Sequence, residues 1–228
     1  MFKTLVCVVL LTVPATAMAE DAVKRLDSAA GVLSEVMSAP DRGIPLDLLS
    51  RASCIVIVPS MKGAAFVVGA KYGKGFISCR KGAEWSAPGA VRVEGGSFGF
   101  QIGGQDTDVV MLVMNGRGAQ HLLSGQFTLG GEGSVAAGPV GRASTAQTDP
   151  SMHAEILSWS RNHGIFAGIA FQGATLRQDL GDNAEMYGQP YRNKQIVDGN
   201  IQWPKSGTEL ESILRKYAFR AGEQRRKS

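Results

Sequence analysis

A cluster of basic side chains carries the clearest chemistry in this sequence. No acidic residue occurs between positions 62 and 81, whereas five cations do: Lys62, Lys71, Lys74, Arg80 and Lys81. The segment has strand and turn character, so these side chains could share one surface. Clustered cations attract phosphate groups. The spacing is equally consistent with a solvated basic face that binds nothing.

A serine motif nearby lacks the context that a nucleophile needs. The stretch Gly95–Gly99 matches G-x-S-x-G, with Ser97 at the serine position. In α/β-hydrolases this serine stands at a sharp turn from a strand into a helix. Here Phe98, Phe100 and Ile102 alternate with glycine and glutamine, which predicts a continuing strand. We therefore expect no catalytic residue and no enzyme activity.

The remaining motifs predict neither a metal nor a cofactor. Asp106-Thr107-Asp108 lacks the further ligands of a calcium loop, and we expect a polar turn there. Gly73-Lys74-Gly75 lacks the spacing of a phosphate loop. The cysteines and the three histidines are not spaced as zinc ligands.

The first 19 residues have the pattern of a cleaved signal peptide. Lys3 supplies the positive end, Leu5–Val13 the apolar region and Ala17-Met18-Ala19 the small-residue cleavage site. The apolar run is too short to span a bilayer. We expect cleavage after Ala19 and export, with residues 20–228 as a single periplasmic domain.

Export constrains the charge and the cysteines. The chain carries 24 Lys and Arg against 20 Asp and Glu. This small excess favours an anionic surface, and outside the cytoplasm phospholipid is a better candidate than nucleic acid. Cys54 and Cys79 could form a disulfide in an oxidising compartment. Two buried thiols are the alternative, because sequence does not give their separation.

The N-terminal segment Glu20–Ala39 is predicted to form an amphipathic helix. Its apolar positions recur every three or four residues, whereas Lys24 and Arg25 lie off that stripe. The helix could pack on the domain core. It could instead lie on a membrane, although its apolar face lacks Trp and Phe.

Short β-branched runs and 29 glycines predict a β-rich middle, with a short helix over Ile44–Leu49 before it. Thr208–Phe219 is predicted as a C-terminal helix, followed by a frayed basic tail at Arg225–Lys227. We therefore expect an α+β domain: a glycine-rich, mostly antiparallel sheet or barrel flanked by N- and C-terminal helices. The predicted strands are Cys54–Pro59, Gly63–Tyr72, Gly75–Arg80, Gly96–Ile102, Val109–Asn115 and a hairpin of Glu155–Arg161 with Gly164–Leu176.

Several sequence blocks occur in a fixed order. The first are Ile44-Pro45, Leu48-Leu49, Ala52, Ile55-Val56-Ile57-Val58-Pro59 and Lys62-Gly63, followed by Gly69, Tyr72-Gly73-Lys74-Gly75 and Trp85-Ser86-Ala87-Pro88. These blocks resemble the opening of the SYLF domain family. The similarity continues through most of the chain. The later blocks are Ser97–Gly104, Asp108–Asn115, Ala137–Arg142, Gly164–Gly168, Asn183 and Tyr187-Gly188.

The resemblance implies a non-catalytic lipid-binding module. The family prefers phosphoinositides, and some members are linked to actin; for an exported protein, ordinary anionic phospholipids are the more sensible ligand. The resemblance also implies binding through an N-terminal helix and basic surface residues. Lys24 and Arg25 occupy that helix here, and Lys62 matches the basic position after the proline.

We expect Lys62, Lys71 and Lys74 to contact phospholipid headgroups, with Lys24 and Arg25 secondary. The alternative is a structural or protein-interaction module of the cell envelope without lipid specificity. Its candidate surfaces are the apolar, glycine-rich stretches Phe98–Gly104 and Ala136–Gly141.

Overall fold

The fold is taken from a computed structural model of the chain. The structure describes residues 21–39, 43–65, 68–98, 103–140, 154–162, 165–169, 171 and 173–227. The predicted signal peptide and parts of both apolar stretches, Phe98–Gly104 and Ala136–Gly141, lie outside these ranges. Among the described residues no helix is both long and apolar enough to cross a membrane.

The chain forms an α+β fold with helices at both ends and a sheet between them, as predicted. Two helices, α1 and α2, precede the first strands, and three more, α4 to α6, follow the last. The helices are α1 Ala22–Ser38, α2 Leu46–Arg51, α3 Gly116–Leu123, α4 Leu180–Tyr187, α5 Asn193–Asp198 and α6 Thr208–Lys227, with a 3-10 turn at Lys205–Gly207. The strands are β1 Cys54–Ala65, β2 Val68–Lys81, β3 Glu84–Trp85, β4 Gly89–Phe98, β5 Gly103–Val113, β6 Gln126–Thr128, β7 Val135–Ala137, β8 Ile156–Asn162, β9 Ile165–Gly168 and β10 Ala174–Gln178.

The strands form one curled, mostly antiparallel sheet. Its order is β6-β10-β4-β2-β1-β5-β8-β7, with β3 beside β2 and β9 beside β8. In the described part of the sheet β7 runs parallel to its neighbour β8, whereas the other strand pairs are antiparallel. A bridge between Leu129 and Gly133 connects the two edges, and Phe127 of β6 shares a core with Val135 of β7. The sheet is therefore a half-barrel with its edges turned toward each other.

The two faces of the sheet have separate cores. The helix face, which α1, α2 and α6 cover, contains Ile55, Ile57 and Phe76. The concave face contains Val56, Ile77 and Val91. Because both faces are buried, β1 and β5 contain continuous apolar runs, Ile55–Val58 and Val109–Val113, rather than alternating ones.

Several strand predictions were wrong in their limits: β1 and β5 each extend six residues beyond the predicted Cys54–Pro59 and Val109–Asn115, at the end and at the start respectively. The predicted strand Gly63–Tyr72 contains the reversal between β1 and β2, since Ala65 pairs with Gly69. Its apolar run offers no turn residues to indicate this. Most of β4 was missed, because it begins at Gly89, and Gly164–Leu176 splits into β9 and β10.

A β-bulge in β1 determines which face Lys62 occupies. The register with β5 shifts between Val58 and Met61, and Ser60 has φ 46°. The backbone N–H of Ser60 donates to Asp108 Oδ1 at 2.9 Å. The extra residue inverts the alternation, so that Met61 joins the concave core and Lys62 moves to the helix face.

Candidate functional site

The predicted basic cluster is divided between the two faces of the sheet. Lys71 and Lys74 are three residues apart on β2, and side chains alternate along a strand. Lys74 has the parity of Phe76 on the helix face, whereas Lys71 has that of Ile77 on the concave face. Lys62 pairs with Tyr72 and therefore shares the helix face with Lys74. The five strand cations do not form one surface.

Lys74 lies in an ion network with two aspartates. Its ammonium is 3.0 Å from Asp179 Oδ2 and 2.8 Å from Asp182 Oδ1. Partial burial opposes the charge on Lys74, but the bonds to these carboxylates outweigh it and raise its pKa. Burial of Asp179 is likewise outweighed by the bond to Lys74, so the pKa of Asp179 is lowered. Lys74 therefore fixes α4 to the sheet.

Arg25 belongs to the same network. Its side chain is 7% exposed and its guanidinium is paired with Asp182. The buried side of α1 consists of apolar residues packed on the sheet, including Leu26, Ala29 and Leu33. Membrane insertion through that side would require α1 to leave the core.

The other end of α1 is held in the same way. Glu35 pairs with Arg161 of β8, which also contacts Asp108 at 2.7 Å. Burial raises the pKa of Asp108, against the bond it accepts from the Ser60 backbone. Arg25 and Glu35 are about 15 Å apart along a helix, close to the width of three strand spacings. Ion pairs thus fix both ends of α1 where it crosses β2, β1, β5 and β8.

Two asparagines after the sheet hold the start of β4. Asn183 Oδ1 accepts from the Ala90 N–H at 2.7 Å, and Asn193 Nδ2 donates to the Ala90 carbonyl at 2.9 Å. Asn183 Nδ2 donates to Asn193 Oδ1 at 2.8 Å. The residue composition gave no signal for this buried clasp, although Asn183 was one of the family-like positions.

Lys62 forms an exposed ion pair with Asp106 at the surface. Its ammonium is 2.5 Å from Asp106, and the side chains are 67% and 58% exposed. Asp106 and Asp108 lie within β5, not in the polar turn that we expected. Lysines of the acid-free segment therefore pair with acidic residues from elsewhere in the sequence: Asp106, Asp179 and Asp182.

Two of the five predicted contact residues keep charges that no carboxylate neutralises within 4 Å in the described part of the chain. Lys71 is half-buried on the concave face, with its ammonium 5.0 Å from the centre of the Phe171 ring. Its strand neighbours are Gly63 and Gly95, which leave the side chain room on both sides. Lys24 is exposed near the start of α1.

The last two strand cations have structural roles. Arg80 lies 4.4 Å from the Trp85 ring and donates to the carbonyls of Leu49 and Ala52. Burial lowers the pKa of its guanidinium. Lys81 donates to the Gly199 carbonyl.

The two cysteines face each other across β1 and β2. Cys54 pairs with Cys79 in the register, and their sulfurs form a disulfide of 2.06 Å. Both residues are buried in the concave core. The bond closes the hairpin that carries Lys62, Lys71 and Lys74.

The serine motif and the metal-ligating residues can be compared with the structure in the described ranges. Ser97 lies inside β4 rather than at a turn into a helix. No group of three metal-ligating side chains occurs among the described residues.

The chain is similar to curated proteins from yeast and animals. It is 34% identical over 184 residues to the LAS seventeen-binding protein 3 of Saccharomyces cerevisiae, covering 78% of this chain and 40% of that protein. It is 31% identical over 179 residues to the human SH3 domain-containing YSC84-like protein 1, covering 78% and 52%. The rat protein of that name is 30% identical over 182 residues, covering 79% and 53%.

This chain thus spans about half the length of these relatives or less. A family model also matches, described as Ysc84, Las17-binding protein actin regulator, over residues 94–217. That match includes the aspartates of the ion network and the asparagine clasp. The chain belongs to the Ysc84 family, the SYLF domain family that the sequence resembled.

Proposed function

We propose that this protein is a non-catalytic module that binds anionic phospholipid headgroups at a membrane surface. The observation that carries the proposal is Lys71: a half-buried ammonium beside Phe171, without a carboxylate within 4 Å among the described residues. A cation in such a position can accept a phosphate without first losing a protein partner. Family membership supports binding rather than catalysis.

Lys24 is the second proposed contact, since it is exposed on the first turn of α1. Lys62 has a weaker claim because Asp106 already neutralises it. Lys74 and Arg25 are removed from the proposed contact set. Each is paired with buried aspartates, and headgroup binding would have to break those pairs.

We further propose that the protein is exported to the periplasm. The disulfide between Cys54 and Cys79 supports this, because such bonds persist in oxidising compartments and are rare in the cytosol. Phosphatidylglycerol and cardiolipin are then more suitable ligands than phosphoinositides.

The test is cosedimentation of residues 20–228 with vesicles of neutral lipid, with or without phosphatidylglycerol, at low and high salt. We expect selective pelleting that weakens as ionic strength rises. The variant K24Q/K71Q should bind about 30-fold less, since each cation near an anionic surface contributes about 1 kcal/mol. The matched control K194Q/K205Q loses the same charge at exposed positions elsewhere. Equal binding by both variants would remove Lys24 and Lys71 from the site.

A protein partner is the second candidate function. Yeast relatives carry the name LAS seventeen-binding protein, which identifies a protein partner for them. Ile165 of β9 and Val140 are apolar yet 65% and 41% exposed. Apolar contact is insensitive to salt, so salt-resistant binding to an envelope protein that is lost in I165E would favour this function.

A further inference from the structure

The end of α6 concentrates the positive charge of the protein. Residues 215–228 contain six Lys and Arg and one Glu, a net charge of +5, whereas the whole chain carries +4. Everything before Arg215 therefore has a net charge of −1. The basic pI of about 9.0 comes from this one segment.

The structure gives this segment a defined form. The sequence predicted a helix ending at Phe219 and a frayed tail, but α6 continues to Lys227. Its packed stripe is formed by Leu210, Leu214 and Tyr217, which are at most 4% exposed. Ten residues follow Tyr217 in the helix, a length of about 15 Å. The helix thus continues beyond the stripe through Arg220, Arg225, Arg226 and Lys227.

The first cations of the segment belong to the domain itself. Arg215 is 2.9 Å from Glu211 and 3.6 Å from Glu84, and Lys216 lies 5.5 Å from the Tyr217 ring. The later cations have one acid, Glu223, among them in sequence. The family match ends at Tyr217, so the basic extension is a feature of this chain outside the matched region.

Cations at a helix C-terminus also interact favourably with the helix dipole. That effect decays within the last turn, so it does not account for Arg220, which lies about two turns before Lys227. Arg225, Arg226 and Lys227 then follow one another directly. Such a density is typical of segments attracted to anionic lipid surfaces.

We infer that the end of α6, from Arg220 to Lys227, is the electrostatic anchor that holds this protein on an anionic phospholipid bilayer. The inference rests on the proposed function and deepens it. The anchor supplies attraction from the bulk surface, whereas Lys71 and Lys24 contact individual headgroups. The rest of the chain has no net positive charge to supply that attraction, since everything before Arg215 is slightly acidic overall.

The experiment compares two variants with the same net charge. R225Q/R226Q/K227Q removes three cations from the anchor, and R117Q/K194Q/K205Q removes three exposed cations elsewhere. The affinity of each variant for phosphatidylglycerol vesicles is measured and compared with that of the parent, residues 20–228. At about 1 kcal/mol per cation, the anchor variant should bind about 100-fold more weakly, and the control less than about threefold. R225K/R226K should keep parental affinity.

Each other outcome overturns a different statement. If the parent binds vesicles and the two glutamine variants have equal affinities, the anchor is overturned but the proposed function is not. No binding by the parent would overturn both. Tighter anchor-dependent binding to double-stranded DNA than to vesicles would overturn the membrane assignment. Circular dichroism and the thermal midpoint verify that α6 and the domain remain folded, since the substitutions lie beyond the buried stripe.

Discussion

Lys71 and Lys74 lie on the same strand, three residues apart, yet their surroundings are opposite. Lys74 faces the helices and is bound by Asp179 and Asp182. Lys71 faces the concave side beside Phe171, with glycines as strand neighbours. Cations that cluster in the sequence therefore do not form one basic surface in the structure. Strand alternation separates the charges, and distant acids neutralise those that meet the helices.

The largest expected effect lies on the helix face. Asp182→Asn removes the carboxylate that pairs with both Arg25 and Lys74, and Lys74 keeps Asp179. Loss of one partner of a buried pair costs about 3–5 kcal/mol. Urea unfolding should show this decrease in the free energy of unfolding. The control Asp198→Asn removes an exposed acid that pairs with Lys194, and it should change stability little.

The concave face is held differently, and its disulfide tests the contrast. Cys54 and Cys79 close a separation of 25 residues. The chain-entropy model gives such a bond about 3 kcal/mol. We expect C54A/C79A to lose about that amount in oxidising buffer, measured by urea unfolding. Under reducing conditions parent and variant should differ by less than 1 kcal/mol. A stability difference that reductant does not narrow would assign the loss to core packing instead.

Replacing one lysine on each face with glutamine tests the same contrast. Lys74→Gln removes the cation between two buried aspartates, and we expect a loss of about 2 kcal/mol in urea unfolding. Lys71→Gln breaks no ion pair among the described residues and should stay within about 0.5 kcal/mol of the parent. Vesicle binding should show the reverse order, with Lys71→Gln the weaker binder. Equal effects of the two variants in both assays would contradict the division between the faces.

We expect low pH to destabilise the protein through the carboxylates on the helix face of the sheet. The pKa of Asp179 is held below its usual value of 3.8, so its contribution to stability is present above pH 3.8. That contribution is lost as the pH falls through the lower, folded pKa. Asp179→Asn should therefore flatten the acid side of the stability curve, whereas Lys71→Gln should leave it unchanged. Thermal midpoints between pH 2 and pH 6 measure both.

The smallest effect is expected at the surface pair on the helix face. Lys62→Gln removes a contact whose side chains are 67% and 58% exposed, and such pairs contribute about 0–1 kcal/mol. Urea unfolding at low and high salt should show a small loss that disappears when salt screens the pair. A loss as large as that of Lys74→Gln would remove the distinction between exposed and internal pairs.

Much of the fold was predictable because its signals are local. The apolar period of α1, the proline at the start of α2 and the stripe of Leu210, Leu214 and Tyr217 each depend on neighbours within one or two turns. The reversal between β1 and β2 was concealed because the run from Ala64 to Val68 is continuously apolar and lacks the alternation that locates a turn. β4 was missed for a different reason: Val91 and Val93 alternate with Arg92 and Glu94 over only four residues before a pair of glycines.

The candidate site was less predictable. The sequence showed the basic residues of β1 and β2 but not their acidic partners. Asp106 is 44 positions from Lys62, and Asp182 is 108 positions from Lys74. The bulge at Ser60, which changes the face that Lys62 occupies, has no signal beyond Pro59 before it. The clasp of Asn183 and Asn193 on Ala90 depends on two helices that follow the sheet.

The sequence by itself determined which chemistry is present: the family blocks, the basic run of β2, the two cysteines and the charge at the end of α6. These follow from composition and short-range order. The tertiary structure alone decided which charges are neutralised, because ion pairs join residues that only folding brings within 4 Å. It left Lys24 and Lys71 without such partners among the described residues. Strand alternation and one extra residue in β1 then decided the face on which each remaining charge lies.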